Sequence, residues 1–286
     1  MVNFLKYRWL YFLISAVVIG AGIFSIVSWR FRYSIDFVGG TNLEYEISKN
    51  IDLVEVKKIF KENKIEVITL SGSDKKLLLR AKPIDEQKEL KIRKDLESFS
   101  KSKITTLRFE TVGPVIGSET IRKTVIASIL AILGILLYMS FAFKSFYFAA
   151  SAIVALMHDF LVVIGVYSLM SHFFGAEVDL LFITALLTTM SFSVHDTIVI
   201  FDKIREYGVR DKSEIEYYAN RALTETLVRS LNNSMTIIFM LLTLVLLGGT
   251  TIRYFVATLL VGTITGTYSS PFVATPILVW LEKRRK

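Results

Sequence analysis

The stretch VIASILAILGILLYMSFAF (125–143) decides the fold class, because its 19 residues include no charged side chain. At a rise of 1.5 Å per residue, a helix of this length covers about 30 Å, the thickness of a bilayer's hydrocarbon core. Similar apolar stretches recur along the chain. The sequence therefore predicts an α-helical membrane protein with six transmembrane helices, at 9–29, 121–143, 147–170, 180–201, 229–249 and 255–280.

Composition agrees with this class. The 286 residues are 52% apolar and include no cysteine, so neither a disulfide framework nor a thiolate metal site is available. The net charge of +8 comes mainly from basic residues in the segments that flank the apolar stretches. In a membrane protein such charges set the topology, so we expect contact with the lipid bilayer and no nucleic-acid partner.

The basic residues also predict an orientation. Lys6 and Arg8 precede the first span and EKRRK (282–286) follows the last, whereas the short connections on the opposite side carry only Arg253. By the positive-inside rule both termini are cytoplasmic, as in a multi-pass protein of the cell (inner) membrane. The first apolar stretch is longer than that of a signal peptide, and five more follow it, so we interpret it as an uncleaved anchor.

The long segment between the first and second helices has the pattern of a small folded domain. Its order of elements, β-α-β-β-α-β, is that of a ferredoxin-like fold. We predict strands at 42–48, 65–71, 76–82 and 103–112 and helices at 53–63 and 85–99. The predicted division is a cytoplasmic N-terminus with the first helix (1–33), an extracytoplasmic ferredoxin-like α+β domain (34–118) and a five-helix core with a cytoplasmic tail (119–286).

Three charged residues lie within the predicted spans: Asp159, Asp196 and Arg229. Each costs about 2.5–3.5 kcal/mol to insert at mid-bilayer, so each is a candidate functional or pairing residue. Rise per residue places Asp196 and Arg229 at a similar depth, where protonation of the aspartate would open an ion pair between them. Two structural alternatives stay open: a static ion pair, and a polar packing pair of Asp159 with His158.

Polar residues line one face of two spans. Thr188, Ser191 and His195 follow helical spacing in the fourth span, and Asn232 and Asn233 follow Arg229 in the fifth. Two such stripes would form a polar pathway that admits water. In the last span a small-xxx-small row (Thr258, Gly262, Gly266, Ser270) predicts close helix packing, and Pro271 and Pro276 predict a bend.

Metal and enzyme sites have little support in the sequence. The two His-Asp dipeptides would suit zinc or manganese by ligand type, but adjacent helical residues point about 100° apart and no HExxH spacing occurs. No phosphate-binding loop, dinucleotide fingerprint or nucleophile elbow is present. We therefore expect no catalytic residue, no metal and no cofactor, and a protein that is not an enzyme.

An ordered set of motifs resembles the SecF family of protein-export membrane proteins, which belongs to the resistance-nodulation-division superfamily. The match covers most of the chain. The motifs are DFVGGTNLE (36–44), VGPVIGSE (112–119), ALMHD (155–159), SVHDTIVIFDKIRE (193–206), GGTTI (248–252) and LLVGTITGTYSS (259–270). The family usually has Asn at the position of His195, so an extra titratable group lies beside Asp196 here.

The resemblance implies a function. A member of this family pairs with SecD, associates with the SecYEG channel and uses the transmembrane proton or sodium gradient to help export preproteins. It implies Asp196 and Arg229 as the ion-coupling pair, with Asp159 a weaker match. The alternatives are half of a small-molecule exporter of the same superfamily and a passive scaffold for the channel. The connection 171–179 is too short for the second external domain that such exporters usually have.

Overall fold

The computed structural model describes residues 2–47, 52–73, 75–143, 145–208 and 214–284. The chain divides into two compact units, one formed by Met1–Arg32 with Ile126–Lys286 and the other by Tyr33–Val125. We call them the helical unit and the sheet unit, and each has its own buried apolar core. The side of a membrane on which the sheet unit lies stays a prediction.

The elements are given in chain order. The helices are a 3₁₀ turn at Phe4–Tyr7, α1 (Arg8–Trp29), α2 (Ile35–Val38), α3 (Leu53–Glu62), α4 (Glu86–Ser100), α5 (Pro114–Phe143), α6 (Phe146–Phe174), α7 (Leu180–Glu206), α8 (Ile215–Leu247), a 3₁₀ turn at Thr250–Ile252, α9 (Arg253–Ser269), a π-helical segment at Ser270–Ala274 and α10 (Thr275–Arg284). The strands are β1 (Arg32–Tyr33), β2 (Gly40–Ile47), β3 (Val67–Ser73), β4 (Lys76–Ala81), β5 (Ile104–Val112) and β6 (Glu177–Val178).

Most of the predicted spans correspond to long apolar helices. Within the described ranges, five helical stretches are long and apolar enough to cross a membrane: Phe4–Trp29, Pro114–Phe143, Phe146–Phe174, Leu180–Glu206 and Ile215–Leu247. They overlap the first five predicted spans. The length and composition of these helices therefore support a multi-pass membrane protein.

The predicted helix at 255–280 is not continuous. It consists of α9, the π-helical segment and α10, and neither α-helical piece is long enough alone to count as a span. Pro271 cannot donate a backbone hydrogen bond, and the amide of Thr275 bonds to the carbonyl of Ser270 five residues back, the π-helical spacing. The Thr275 hydroxyl donates to the same carbonyl at 3.0 Å. The predicted bend is therefore a change of helix type.

The sheet unit has the predicted order of elements. Its four strands form an antiparallel sheet in the order β3-β4-β2-β5, and α3 and α4 pack on one face. Alternation along β2 buries Leu43, Tyr45 and Ile47 against that layer. Buried Glu89 of α4 accepts a hydrogen bond from the Thr106 hydroxyl at 2.9 Å. Asp74, between the second and third predicted strands, and Ser48 of the first predicted strand lie outside the described residues.

Helices α1 and α6 run parallel and in register. Gly22 faces Gly165, and the hydroxyls of Ser25 and Ser168 lie 2.8 Å apart. A Cβ placed on Gly22 would lie 2.7 Å from the Cα of Gly165, closer than side-chain carbons approach. Glycine at both positions therefore allows the two backbones to touch.

Helices α7 and α9 are also parallel, along the predicted small-residue row. A Cβ on Gly262 would overlap the side chain of Thr189, and one on Gly266 would lie 3.0 Å from the Cα of Ser193. One turn further on, the hydroxyls of Thr197 and Ser270 lie 2.8 Å apart. This close contact brings α9 against the polar face of α7, where the candidate site lies.

Candidate ion-coupling site

Asp159 lies at the meeting point of three helices. The residue is only 3% exposed. The Ser193 hydroxyl of α7 and the Ser269 hydroxyl of α9 both donate to its Oδ2, the latter at 2.6 Å. Its Oδ1 lies 2.8 Å from Nδ1 of His158. Each oxygen of the buried carboxylate is thus paired, as a charge away from water requires.

The contacts of His158 extend this cluster to α1. Its Nε2 lies 2.9 Å from the hydroxyl of Ser15, which in turn lies 3.5 Å from the hydroxyl of Tyr268. Tyr268 donates to the backbone carbonyl of Tyr11 at 2.8 Å. We call the set of Ser15, His158, Asp159, Ser193 and Ser269 the buried carboxylate cluster. It links side chains from α1, α6, α7 and α9.

Asp196 occupies a different place, between α7, α8 and α9. It is 9% exposed, and the hydroxyl of Ser230 on α8 lies near its carboxylate. It lines a small cavity. The volume open to the centre of a water molecule is about 20 Å³, which is enough for roughly one water. Polar residues on the cavity wall include Asn233, Ser234, Thr263 and Thr267. A carboxylate here is buried yet beside room for water.

The structure does not form the predicted ion pair between Asp196 and Arg229. Arg229 is exposed, and among the described residues it has no acidic partner. Its neighbour Ser230 faces Asp196 instead. Consecutive helical residues point about 100° apart, so depth along the helix axis does not decide which residue of α8 faces α7.

The predicted polar pathway separates into two places. Thr188, Ser191 and His195 lie exposed on α7, and Ser191 and His195 line a groove of about 460 Å³ together with residues of α5. On α8, Asn232 is exposed, whereas Asn233 lines the small cavity with Asp196. His195 lines both spaces. The structure thus brings Asp196, His195 and Asn233 together and leaves Asn232 apart from them.

Two members of the buried carboxylate cluster escaped the sequence analysis. Ser15 is one of three serines in an apolar helix, and nothing local distinguishes it from the hydroxyl residues common in such helices. Ser269 lies in the GTYSS motif, which supported the family resemblance. Its contact with Asp159 joins residues 110 positions apart, so the motif alone does not predict it. Within the described ranges, no group of three or more His, Cys, Asp or Glu side chains is arranged to hold a metal ion.

Comparison with known proteins gives a consistent result. Residues 91–284 match the family described as protein export membrane protein SecD/SecF, C-terminal. The protein translocase subunit SecF of Thermobaculum terrenum is 39% identical, over 99% of this chain and 95% of that protein. The corresponding subunit of Anaerolinea thermophila is 38% identical, over 99% of this chain and 94% of that protein.

A solved structure is also similar. The crystal structure of SecDF from Thermus thermophilus, a translocon-associated membrane protein, matches with a TM-score of 0.83 at 30% identity. The match covers 99% of this chain but only 39% of the SecDF chain. A second structure, SecDF in a super-membrane-facing form, gives a TM-score of 0.68 with the same coverage. With the ordered motifs and the near full-length relatives, these matches show that the chain belongs to the SecD/SecF family of protein-export membrane proteins.

Proposed function

We propose that this chain is a SecF-like translocase subunit that works with SecD and uses the transmembrane proton or sodium gradient to assist preprotein export through SecYEG. Relatives that match along nearly their whole length are named as translocase subunits, which supports the role in export. The match covers 39% of the Thermus thermophilus SecDF chain, and SecD would correspond to the remainder. In this account the subunit makes no covalent bond.

The observation that carries the ion-coupling part is the position of Asp196. A carboxylate that is 9% exposed among apolar helices is costly to keep charged, and the one-water cavity beside it leaves room for an ion or a water to reach it. We propose that Asp196 gains and loses the coupling ion and that Arg229 engages an acidic group in another state of the complex. His195 would tune the pH range of this exchange.

The proposed topology follows the charge pattern. Both termini are cytoplasmic, residues 34–118 are extracytoplasmic, and the protein lies in the cell (inner) membrane. The segment from α9 through the π-helical segment to α10 serves as a sixth, kinked span. Because α9 runs parallel to α7, it would cross the membrane in the same direction as that helix.

The exporter alternative is less favoured. Only Gly175–Asp179 separates α6 from α7, which leaves no space for the second external domain of a small-molecule pump. Co-purification of the tagged chain from its native membrane distinguishes the two functions. The proposal predicts recovery of SecD, whereas recovery of the chain as an oligomer of itself without SecD supports the exporter.

Preprotein export in reconstituted vesicles tests the proposal. Vesicles containing the chain, SecD and SecYEG are placed under a proton gradient or a sodium gradient separately. We expect one gradient to accelerate export, Asp196→Asn to remove that acceleration, and Asp202→Asn to retain it. Asp202 is the matched control because it lies exposed on the same helix. Full gradient-dependent acceleration with Asp196→Asn would contradict the proposed role.

A further inference from the structure

We propose that His158 and Asp159 form a second proton-binding site, in which an arriving proton places a hydrogen on Nε2 of His158 and reverses the hydrogen bond to Ser15. The site is separate from Asp196 in its contacts, and it is tied to the start of the π-helical segment. Its physiological meaning rests on the proposed function, but its chemistry does not.

The hydrogen bonds fix where hydrogens lie before the proton arrives. An ionised carboxylate only accepts, so Asp159 takes hydrogens from the two serines and from Nδ1 of His158. A neutral imidazole with hydrogen on Nδ1 has an accepting Nε2, and the hydroxyl of Ser15 must donate to it. Every member of the buried carboxylate cluster is then satisfied with one negative charge in total.

An added proton has one consistent place to act. The proton between Nδ1 and Oδ1 is shared, and either atom can hold it. While both serines donate to Oδ2, rather than Ser269 to the carbonyl of Gly266 at 3.3 Å, the second hydrogen of the neutralised pair sits on Nε2 in both arrangements. Nε2 then donates to Ser15, and the Ser15 hydroxyl turns toward Tyr268, whose oxygen lies 3.5 Å away. Proton uptake thus changes the direction of a hydrogen bond between α6 and α1.

When the shared hydrogen lies on Oδ1, the carboxyl of Asp159 is neutral and holds α7 and α9 less strongly. Hydrogen bonds to an ionised acceptor are roughly twice as strong as neutral ones, and Asp159 accepts from both helices. Ser269 ends α9, and the next residue, Ser270, begins the π-helical segment and bonds to the carbonyl of Ser193 at 3.3 Å. A hydrogen held on Oδ1 therefore loosens the junction at which the last span changes helix type.

The described partners of the pair are hydroxyl groups. The groups that face the pair are the hydroxyls of Ser15, Ser193 and Ser269, with Tyr268 beyond Ser15. Among the described residues, no other charged side chain forms an ion pair or hydrogen bond with His158 or Asp159. Tyr268 and Tyr11 are partly exposed, so the chain of hydrogen bonds leads from the buried pair toward the surface of the helical unit.

Imidazole nitrogen spectroscopy tests the site directly. The chain has three histidines, so ¹⁵N-histidine labelling of the full protein in lipid nanodiscs gives three resolved groups. His172→Gln and His195→Gln identify their signals by loss and leave that of His158. At high pH we expect hydrogen on Nδ1 and a bare Nε2, and on acidification we expect Nε2 to become protonated. A bare Nε2 across the whole range in which the protein stays folded would overturn the proposal, as would a hydrogen on Nε2 at high pH.

A transport measurement separates this inference from the proposed function. His158→Gln is compared with His172→Gln, an exposed histidine near the end of the same helix, in the reconstituted export assay. We expect His158→Gln to lower gradient-driven export at least several-fold and His172→Gln to leave it unchanged. If Asp196→Asn abolishes the gradient effect while a folded His158→Gln variant keeps all of it, the second site is refuted and the proposed function stands.

Discussion

The contact of α1 with α6 predicts a large difference between two glycine substitutions on one helix. A Cβ on Gly22 would lie 2.7 Å from the backbone of Gly165, whereas ordinary contact begins at 3.4 Å, so the helices must separate by about 0.7 Å there. Nothing lies within 4 Å of a Cβ on Gly20. Backbone cannot rotate away as a side chain does, and overpacking of this kind costs about 1–3 kcal/mol.

The comparison cancels the other effects of the change. Gly→Ala in a helix gains up to about 1 kcal/mol in propensity, and both variants gain it. We therefore expect Gly22→Ala to be less stable than Gly20→Ala by about 1–3 kcal/mol, the overpacking term alone. The free energy of unfolding is measured by SDS titration of the full chain in mixed micelles. Tryptophan fluorescence reports on the contact, because the ring of Trp29 stacks on that of His172 at 3.9 Å. Equal stability of the two variants, or a more stable Gly22→Ala, would refute the register of α1 on α6.

Three further predictions concern packing and buried groups. Gly262→Ala would place a methyl group against a threonine of α7, whereas the surroundings of Gly134 are open. In the same titration, Gly262→Ala should lower the free energy of unfolding by about 1–3 kcal/mol relative to Gly134→Ala. Equal values would contradict the close contact of α7 with α9. Glu89→Ala should destabilise the sheet unit by about 1–3 kcal/mol, because it removes the buried acceptor of the Thr106 hydroxyl and the acidic partner of Arg93. Exposed Glu86→Ala should cost less than about 1 kcal/mol. Amide hydrogen exchange of β2 and β5 in the full chain measures both, and equal loss would count against the buried pairing. Burial, and then the nearby charge of Glu89, raise the pKa of Tyr45 well above its usual range, so the folded state keeps a proton that the unfolded state loses above about pH 10. The stability that this group contributes is present below that pH and is lost as the pH rises. Urea unfolding at pH 9 and pH 11 should therefore show a smaller loss of unfolding free energy in Tyr45→Phe than in the unsubstituted chain. The same loss in both chains would contradict the raised pKa.

The sequence predicts local elements well because their signals are local. The strands and helices of the sheet unit follow from alternation and helical spacing over 5–15 residues, and turn residues separate them. The close seam of α7 and α9 follows from a row of small residues at four-residue spacing. In both cases the pattern that predicts the element is also the pattern that packs it.

The candidate site depends on contacts that the sequence does not contain. Depth estimates put Asp196 and Arg229 at a similar level but cannot give the rotation of α8, and Ser230 faces Asp196 instead. The partners of Asp159 come from helices far away along the chain. The bend at Pro271 was predictable, but its π-helical form depends on the contacts of Ser270 with α7.

Ion flux through the reconstituted complex tests the central claim most directly. Vesicles containing the chain, SecD and SecYEG, with an entrapped pH-sensitive or sodium-sensitive dye, are supplied with preprotein and an imposed gradient. The account predicts ion entry that depends on preprotein, is lost in Asp196→Asn and persists in Asp202→Asn. Preprotein-dependent ion entry of unchanged rate in Asp196→Asn would contradict it.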